Sequence, residues 1–151
     1  ILDAVSLKEA TVFRGGRQRC DRLSAAVANA VAADWLELDE GYRVVPCHAG
    51  LYVIPALLAE AEAENLSVRE MLRAIAVAYE VVTRVARAFV PVDDGILCHA
   101  NYSTIGACAA TAAARRLDPQ QFLDALSSAF TLCFAGPRNH VVKGALIRKA
   151  T

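Results

Sequence analysis

Two of the chain's three histidines stand at comparable places, each shortly before a predicted helix. His48 precedes a helix predicted near Leu51, and His99 precedes a helix predicted from Ser103. A helix start offers unpaired N–H groups and about half a positive charge, which attract carboxylate or phosphate groups. The same positive charge disfavours an imidazolium, so a histidine there can accept a proton near neutral pH. Two such histidines facing one cavity would form an acid–base pair for an acidic substrate; the alternative is that each only hydrogen-bonds a loop carbonyl.

An acidic run, Glu-Leu-Asp-Glu at 37–40, lies a few residues before His48. One of its carboxylates could orient a histidine or bind a substrate hydroxyl, and the alternative is a solvated helix end. A metal site shared by this run and the histidines is the weaker interpretation, because neither HxxxH nor HxxE spacing occurs. We therefore predict no metal ligand.

Positive charge collects near the end of the chain, where Lys143, Arg148 and Lys149 lie in a helical-looking segment, 141–149. Each of these cations could hold a substrate carboxylate, although a solvated helix face is the more usual reason for such a cluster. The chain begins without Met and stops at Thr151 directly after this segment. We therefore expect it to be a piece of a longer protein.

Five segments with helical periodicity must position these residues, and loops rich in Gly and Pro separate them. In chain order they run from Leu23-Ser24, with Ser24 as N-cap, to about Leu38; from near Leu51 to Glu64-Asn65; from Val68 to about Phe89; from about Ser103 to Leu117; and from Asp118-Pro119 onward. No stretch alternates with period two for long enough to form a strand. The sequence therefore predicts an all-α fold, a helical bundle.

Local signals fix several of these helix starts. Ser67 and Glu70 match the capping box that opens the third helix. Asp118 and Pro119 are typical of an N-cap and the first residue of a helix. Pro55 is expected in the first turn of the second helix, where a missing N–H costs nothing.

The side-chain pattern also predicts which helix faces pack together. The segment 106–114 is almost entirely small residues, so neighbouring backbones can come very close to it. Apolar residues of the third helix recur at three- and four-residue steps: Val68, Met71, Leu72, Ile75, Tyr79 and Val82. The apolar residues of the fifth helix that we expect to point inward are Phe122, Leu123, Leu126 and Phe130.

Composition and charge narrow the class of protein to which this chain can belong. The chain has 151 residues, 56% hydrophobic and 21% charged, with 16 basic and 16 acidic side chains, which suits one domain with a real core. A net charge of zero argues against nucleic-acid binding. The first residues given lack the basic-then-apolar layout of a signal peptide, and the longest uncharged run, 95–114, holds His and Asn side chains that a bilayer would penalise. Five widely spaced cysteines without a CxxC pair indicate reduced thiols in a cytoplasmic protein.

Four stretches of the chain, in their order and spacing, resemble the MmgE/PrpD family. They are 25–42, with its Ala-rich start and acidic run; 48–59, which begins at His48; 78–84, with Ala-Tyr-Glu-Val and an Arg; and 99–110, with His99 and the small-residue helix. The family includes 2-methylcitrate dehydratases, cis-aconitate decarboxylases and iminodisuccinate epimerases. The resemblance covers nearly the whole chain from about Ala10.

The resemblance implies a cofactor-free, homodimeric enzyme with a large helical domain and a second, lid-like domain. Residues 1–151 would then be part of the helical domain, without its N-terminal helices, the lid and the C-terminal part. His48 and His99 fall on two catalytic histidines of the family, and its active-site lysine falls at Lys149 or, with a shift of one, at Arg148. For substrate binding we expect Glu37, Tyr42, Asn101 and Arg148; by the resemblance, Glu37 falls where the family often has an active-site Asp.

The resulting hypothesis is a hydro-lyase that acts on a small di- or tricarboxylate, similar to 2-methylcitrate dehydratase. One of the two histidines removes a proton alpha to a carboxylate, and the other protonates the departing hydroxyl. An epimerase, a decarboxylase of the same family and a non-catalytic helical interaction domain are the alternatives. We expect activity from the full-length protein and not from residues 1–151 alone.

Overall fold

The computed structural model describes residues 7–13, 18–89 and 98–133, and of residues 98–100 it describes only the helix to which they belong. The described residues form five helices and one small hairpin, which confirms the predicted helical class. In chain order the elements are β1 (Ala10–Val12), β2 (Gln18–Cys20), α1 (Arg22–Asp34), α2 (Ala49–Ala63), α3 (Val68–Ala88), α4 (Cys98–Ala114) and α5 (Pro119–Thr131). The predictions made for Lys143, Arg148 and Lys149 lie outside the described residues.

The antiparallel hairpin of β1 and β2 is a feature that the sequence does not predict. Its strands have 3 residues each, too few to show a period-two pattern. Side chains of the helices hold it in place: Asn29 accepts from the Phe13 N–H at 2.8 Å and donates to the Thr11 carbonyl at 2.9 Å. Glu62 of α2 accepts from the N–H and the hydroxyl of Thr11 at 2.7 and 2.8 Å. Tertiary contacts, and not local pattern, therefore make this hairpin.

Helix α1 begins and ends earlier than predicted. Asp21, and not Ser24, is its N-cap, because the Asp21 carboxylate accepts from the Ser24 N–H at 2.9 Å. A carboxylate at this place contributes negative charge as well as a hydrogen bond, and the bonds from Ser24 hold the pKa of Asp21 below its usual value. The helix stops at Asp34, before the predicted end at Leu38, and Glu37 beyond it takes a left-handed conformation with φ 52°.

Helices α2 and α4 also start earlier than expected. Because α2 begins at Ala49, Pro55 lies in its second turn and not in its first. There the proline removes one N–H from the helix interior. Helix α4 begins at Cys98 instead of Ser103, so His99 belongs to the first turn of α4 and not to a loop before it.

Packing explains where α4 begins, and a left-handed residue explains where it ends. Tyr102 is only 3% exposed, and burying a tyrosine stabilises the turn before Ser103 by more than a serine cap at that place would. At its other end α4 stops at Ala114, before the predicted Leu117. Arg116 there takes a left-handed conformation with φ 53°, which closes the helix.

The predicted capping box of α3 and the predicted N-cap of α5 are both present. Ser67 Oγ accepts from the Glu70 N–H at 3.3 Å, and the Glu70 carboxylate accepts from the Ser67 N–H at 2.9 Å. These bonds from Ser67 hold the pKa of Glu70 below its usual value. Asp118 caps α5 in the same way, and Pro119 is its first residue. The local signals for α3 and α5 were therefore correct.

Small residues make most of the contacts between helices. The buried residues of α3 are Ala74, Ala78, Val82, Thr83 and Ala86. The predicted apolar stripe is therefore wrong at Val68 and Leu72, which are exposed, and the predicted inward face of α5 is wrong at Leu123 and Phe130. Because the helices approach closely through their alanines, larger apolar side chains are displaced toward the rim.

The predicted close approach occurs where α4 crosses α2. A Cβ added at Gly106 would lie 2.5 Å from Tyr52 Cβ and 2.9 Å from the Tyr52 carbonyl carbon, so only glycine fits. Further along the same two helices, Arg115 Nε donates to Glu60 at 2.5 Å. The contacts follow the same order along both helices, from Tyr52 and Gly106 to Glu60 and Arg115, so α2 and α4 run in the same direction. Their N-termini lie at the same end of the bundle.

Helix α3 runs opposite to α4. The Tyr102 hydroxyl, near the start of α4, donates to the Phe89 carbonyl at the end of α3 at 2.8 Å. Near the other end, the Arg73 guanidinium donates to the Ala113 carbonyl at 2.6 Å. The C-terminus of α3 thus reaches the end of the bundle where α2 and α4 begin.

The cysteines whose side chains are described carry free thiols. Cys20 and Cys47 are buried, and Cys108 and Cys133 are half-buried. Burial raises the pKa of the Cys20 and Cys108 thiols, so they stay protonated at neutral pH. In this part of the chain the cysteines are small core residues, as their spacing predicts.

Candidate functional site

His48 is the N-cap residue of α2, and two oxygens of the acidic run lie beside its Nδ1. Nδ1 lies 2.8 Å from the backbone carbonyl oxygen of Glu40 and 2.6 Å from Asp39 Oδ2. A carbonyl and a carboxylate can only accept, so Nδ1 must carry a proton. In the neutral ring Nε2 is then the nitrogen without a proton. Because the side chain is 32% exposed, it remains accessible from outside.

Asp39 is the carboxylate of the acidic run that lies against the histidine. Its side chain is only 8% exposed, and its Oδ2 lies 2.6 Å from His48 Nδ1 without accepting a hydrogen bond. Glu37, to which the resemblance assigns an active-site role, is exposed in the turn after α1. The expectation that one carboxylate of this run orients a histidine thus matches the position of Asp39.

Glu40 binds the first turn of α2 with its side chain. Its Oε1 accepts from the Gly50 N–H at 2.9 Å and from the Tyr79 hydroxyl at 2.8 Å. A carboxylate of the chain itself therefore occupies part of the helix N-terminus that we expected to hold a substrate carboxylate. Burial, followed by the hydrogen bond to Glu40, raises the pKa of Tyr79 to about 12, so this hydroxyl stays a donor at neutral pH.

A cavity of about 300 Å³ opens beside these residues. Its lining comprises Ala33, Leu38, Asp39, Glu40, Gly50, Leu51, Ile54 and Pro55. Asp39 and Glu40 are thus the charged groups among the described residues of its wall, and both are acidic. A polyanionic substrate would need cations from elsewhere to bind here.

The second histidine lies on the neighbouring helix at the same end of the bundle. His99 is in the first turn of α4, and its side chain lies outside the described residues. Tyr52, one turn after His48, has its ring centroid 6.3 Å from that of Tyr102, which lies one turn after His99. The His48 and Tyr52 rings meet edge to face at 6.4 Å. The backbone therefore brings the two histidine positions to adjacent helix starts.

The other residues assigned to substrate binding have the following places. Tyr42 is half-buried against the main core, and its N–H donates to the Cys47 carbonyl at 2.8 Å. Asn101 lies in α4 directly before the buried Tyr102. Arg148 and Lys149 lie outside the described residues.

Sequence reasoning did not single out Glu40 or Tyr79 for this site. Tyr79 belongs to the Ala-Tyr-Glu-Val stretch that carried part of the family resemblance, and we had predicted it only as an apolar position of α3. Its hydroxyl meets a carboxylate 39 residues away in the sequence, a pairing that no local pattern indicates. This contact can be seen only in the three-dimensional structure.

Two searches of the described residues gave negative results. No group of three or more His, Cys, Asp or Glu side chains suited to a metal ion occurs in the parts of the chain at 7–13, 18–89 and 98–133. Over the same residues, no helix combines the length and the apolar character that crossing a bilayer requires.

Comparison with known families identifies the class of protein to which this fold and these helix-start histidines belong. The family model of the MmgE/PrpD N-terminal domain matches residues 2–141. The chain therefore belongs to the MmgE/PrpD family, whose members include dehydratases. A search of curated proteins found no match.

Proposed function

We propose that the protein is a cofactor-independent hydro-lyase of a di- or tricarboxylate, similar to 2-methylcitrate dehydratase. One observation carries this proposal: the Glu40 carbonyl fixes the proton on His48 Nδ1, with the Asp39 carboxylate beside it, which leaves Nε2 as a base at the end of the bundle where α4 also begins. Family membership supports the reaction class.

In the proposed reaction one histidine removes a proton alpha to a carboxylate, and the electron pair of that C–H bond forms the new double bond. The C–O bond to the leaving hydroxyl breaks, and the other histidine protonates that oxygen so that water departs. We assign the base role to His48 and the acid role to His99. Asp39 holds the His48 ring in one orientation and stabilises the imidazolium that forms.

Substrate binding requires positive charge to offset Asp39 and Glu40 in the cavity wall. We propose that Lys149 or Arg148 supplies it, and that the same cation stabilises the enolate as negative charge develops. Tyr42 and Asn101 would contact the substrate with neutral polar groups, and Glu37 would accept from a substrate hydroxyl. The remaining wall would come from a lid-like domain outside residues 1–151, in a cytoplasmic homodimer.

The test is turnover by the full-length protein of a panel of acidic substrates: 2-methylcitrate, citrate, cis-aconitate and an iminodicarboxylate. We expect dehydration of a hydroxy-tricarboxylate, and a loss of about 100-fold or more in kcat for His99→Ala, since general acid–base groups contribute that much. Asp124→Asn on the exposed face of α5 is the control and should keep full activity.

Each alternative has its own product. Release of CO2 would indicate a decarboxylase, and exchange of the alpha proton with solvent without loss of water would indicate an epimerase. Unchanged turnover by His99→Ala would rule out its catalytic role. No turnover of any acidic substrate by the full-length protein would favour the non-catalytic helical domain.

A further inference from the structure

The stretch that holds His48 is a long connection without regular structure. Residues 35–48 join α1 to α2 and contain no helix or strand, yet they supply the two oxygens that face His48 Nδ1, the Glu40 carbonyl as acceptor and the Asp39 carboxylate beside it. A connection of this kind is usually mobile unless other elements hold it. The position of these acceptors must therefore be set by contacts with the helices.

Glu40 provides such contacts on two helices at once. Its carboxylate is bound by the Gly50 N–H of α2 and by the Tyr79 hydroxyl of α3. A Cβ on Gly50 would approach the Glu40 carboxyl to 3.1 Å, so the absence of a side chain there lets the carboxylate reach the helix start. The side chain of Glu40 is thus fixed at the middle of α3 and the beginning of α2.

The same residue meets His48 through its backbone, because the Glu40 carbonyl oxygen lies 2.8 Å from Nδ1. Asp39, whose carboxylate is 2.6 Å from the same nitrogen, is its immediate neighbour in the chain. Fixing the Glu40 side chain therefore also fixes the carbonyl acceptor of the histidine and the neighbouring carboxylate.

We propose that Tyr79 and Glu40 form a positioning pair that holds the 39–40 backbone against His48, so that Nδ1 keeps the proton and Nε2 serves as the base. Neither residue touches substrate in this role. The effect of this pair on catalysis rests on the proposed function, whereas its effect on the tautomer of His48 does not.

The first test reads the tautomer of neutral His48 directly. The chain has three histidines, so their ring nitrogens can be resolved by 15N NMR of the folded protein. We expect wild type to show a proton on Nδ1, whereas Tyr79→Phe and Glu40→Ala shift a measurable fraction of His48 to the Nε2–H tautomer. Glu40→Gln, which keeps an acceptor for both donors, should retain the wild-type tautomer. An unchanged tautomer in both Tyr79→Phe and Glu40→Ala would overturn the proposal.

The matched control is Glu80→Ala. Glu80 is the residue after Tyr79, and its exposed carboxylate pairs with Arg84 on the same helix at 2.5 Å. Removing it truncates a glutamate of α3 without touching Glu40, so the tautomer should stay as in wild type. A shift in this variant equal to that of Glu40→Ala would mean that general loosening of the bundle, and not the pair, controls His48.

The second test is kinetic and separates this inference from the proposed function. We expect about a tenfold loss of kcat with little change in KM for Tyr79→Phe, and a distorted pH profile, because a fraction of His48 is in the wrong tautomer. Glu40→Gln should restore most of the rate lost in Glu40→Ala. If no acidic substrate is turned over, the proposed function is wrong. The tautomer measurement still shows whether Tyr79 and Glu40 position His48.

The titration of Tyr79 gives a third, independent result. Its pKa of about 12 depends first on burial and next on Glu40, so Glu40→Ala should lower it toward the ordinary value of 10. Because the folded-state pKa is raised, the stabilisation from this hydroxyl is complete below pH 10 and is lost as the pH rises toward about 12. An unchanged tyrosine titration in Glu40→Ala would contradict the contact itself.

Discussion

Both ends of α2 carry charged side chains, but the charges differ in what surrounds them. At the C-terminal end, Glu60 binds Arg22 at 3.0 Å and Arg115 at 2.5 Å, with its own side chain only 4% exposed. At the N-terminal end, Asp39 and Glu40 contact His48 and line a cavity. The first end is closed by opposite charges, and the second is open.

Charge balance is the main difference between these ends. Arg22 also pairs with Glu9 at 2.9 Å and Glu64 at 2.7 Å, and these carboxylates raise its pKa. The cluster joins the hairpin side of the molecule to α1, α2 and α4, so we regard it as a structural centre. In the described residues the open end has two carboxylates and no such arginine at the cavity wall. The charge of these two carboxylates is therefore not balanced by a cation in the described part of the wall.

The largest effect should follow from removing the centre of the closed end. Glu60→Ala removes the buried carboxylate to which Arg22 and Arg115 both donate, and from two lost charge-assisted hydrogen bonds we expect about 3 kcal/mol less stability, measured by urea unfolding. Glu64→Ala removes a carboxylate from the same cluster that is 47% exposed and should cost less than about 1 kcal/mol. Equal losses in the two variants would contradict the description of Glu60 as the buried centre.

Asp39→Asn makes the corresponding change at the open end. We expect kcat to fall by about 100-fold, because the ring loses the charge that holds it and stabilises its protonated form. Unfolding by urea should change by less than about 1 kcal/mol, since an amide can still occupy the space. A large loss of stability with normal turnover would show that both ends are structural and would remove the contrast.

Gly106→Ala tests the packing that brings the two helix starts together. A Cβ would meet Tyr52 at 2.5 Å, so we expect a loss of about 1–3 kcal/mol in unfolding free energy. Gly41→Ala is the matched control, because a Cβ there would meet nothing within 4 Å. If Gly106→Ala were as harmless as its control, α2 and α4 would not pack as described.

Ser67→Ala should have the smallest effect, because the Ser67 side chain bonds only within its own capping box and takes part neither in the Glu60 cluster nor in the contacts of His48. We expect a loss of about 1 kcal/mol from the missing cap. Since the bonds from Ser67 are the largest cause of the lowered pKa of Glu70, that pKa should rise toward its ordinary value of 4.5. Stabilisation by Glu70 is present above the unfolded-state pKa and is lost as pH falls, so the variant should lose less stability on acidification than wild type. A carboxyl titration by 13C NMR that stays at the wild-type position would contradict this.

Much of the fold could be predicted, because local interactions determine it. The capping residues at Ser67 and Asp118 make their hydrogen bonds within one turn, and the sequence contains all the partners. The predicted start of α4 was wrong because the burial of Tyr102 depends on α2 and α3. The hairpin was missed for the same reason, since Asn29 and Glu62 hold it from a distance.

In the candidate site, too, features set by the local sequence could be predicted and features set by distant contacts could not. The position of His48 before a helix could be read from the sequence, and so could the expectation of an orienting carboxylate in the acidic run. That Asp39 contacts the ring, while Glu37 is exposed, depends on the path of a connection without regular structure. The pairing of Tyr79 with Glu40 depends on how α3 packs beside that connection.

The most direct test of the account measures kcat for His48→Gln, His99→Gln and the double variant of the full-length protein, each with its best acidic substrate. If the two histidines act as one acid–base pair, each single variant should lose about 100-fold or more, and the double variant should be little worse than the poorer single one. Wild-type turnover by either single variant, or losses that multiply as for independent residues, would contradict the proposal that these two helix starts form one site.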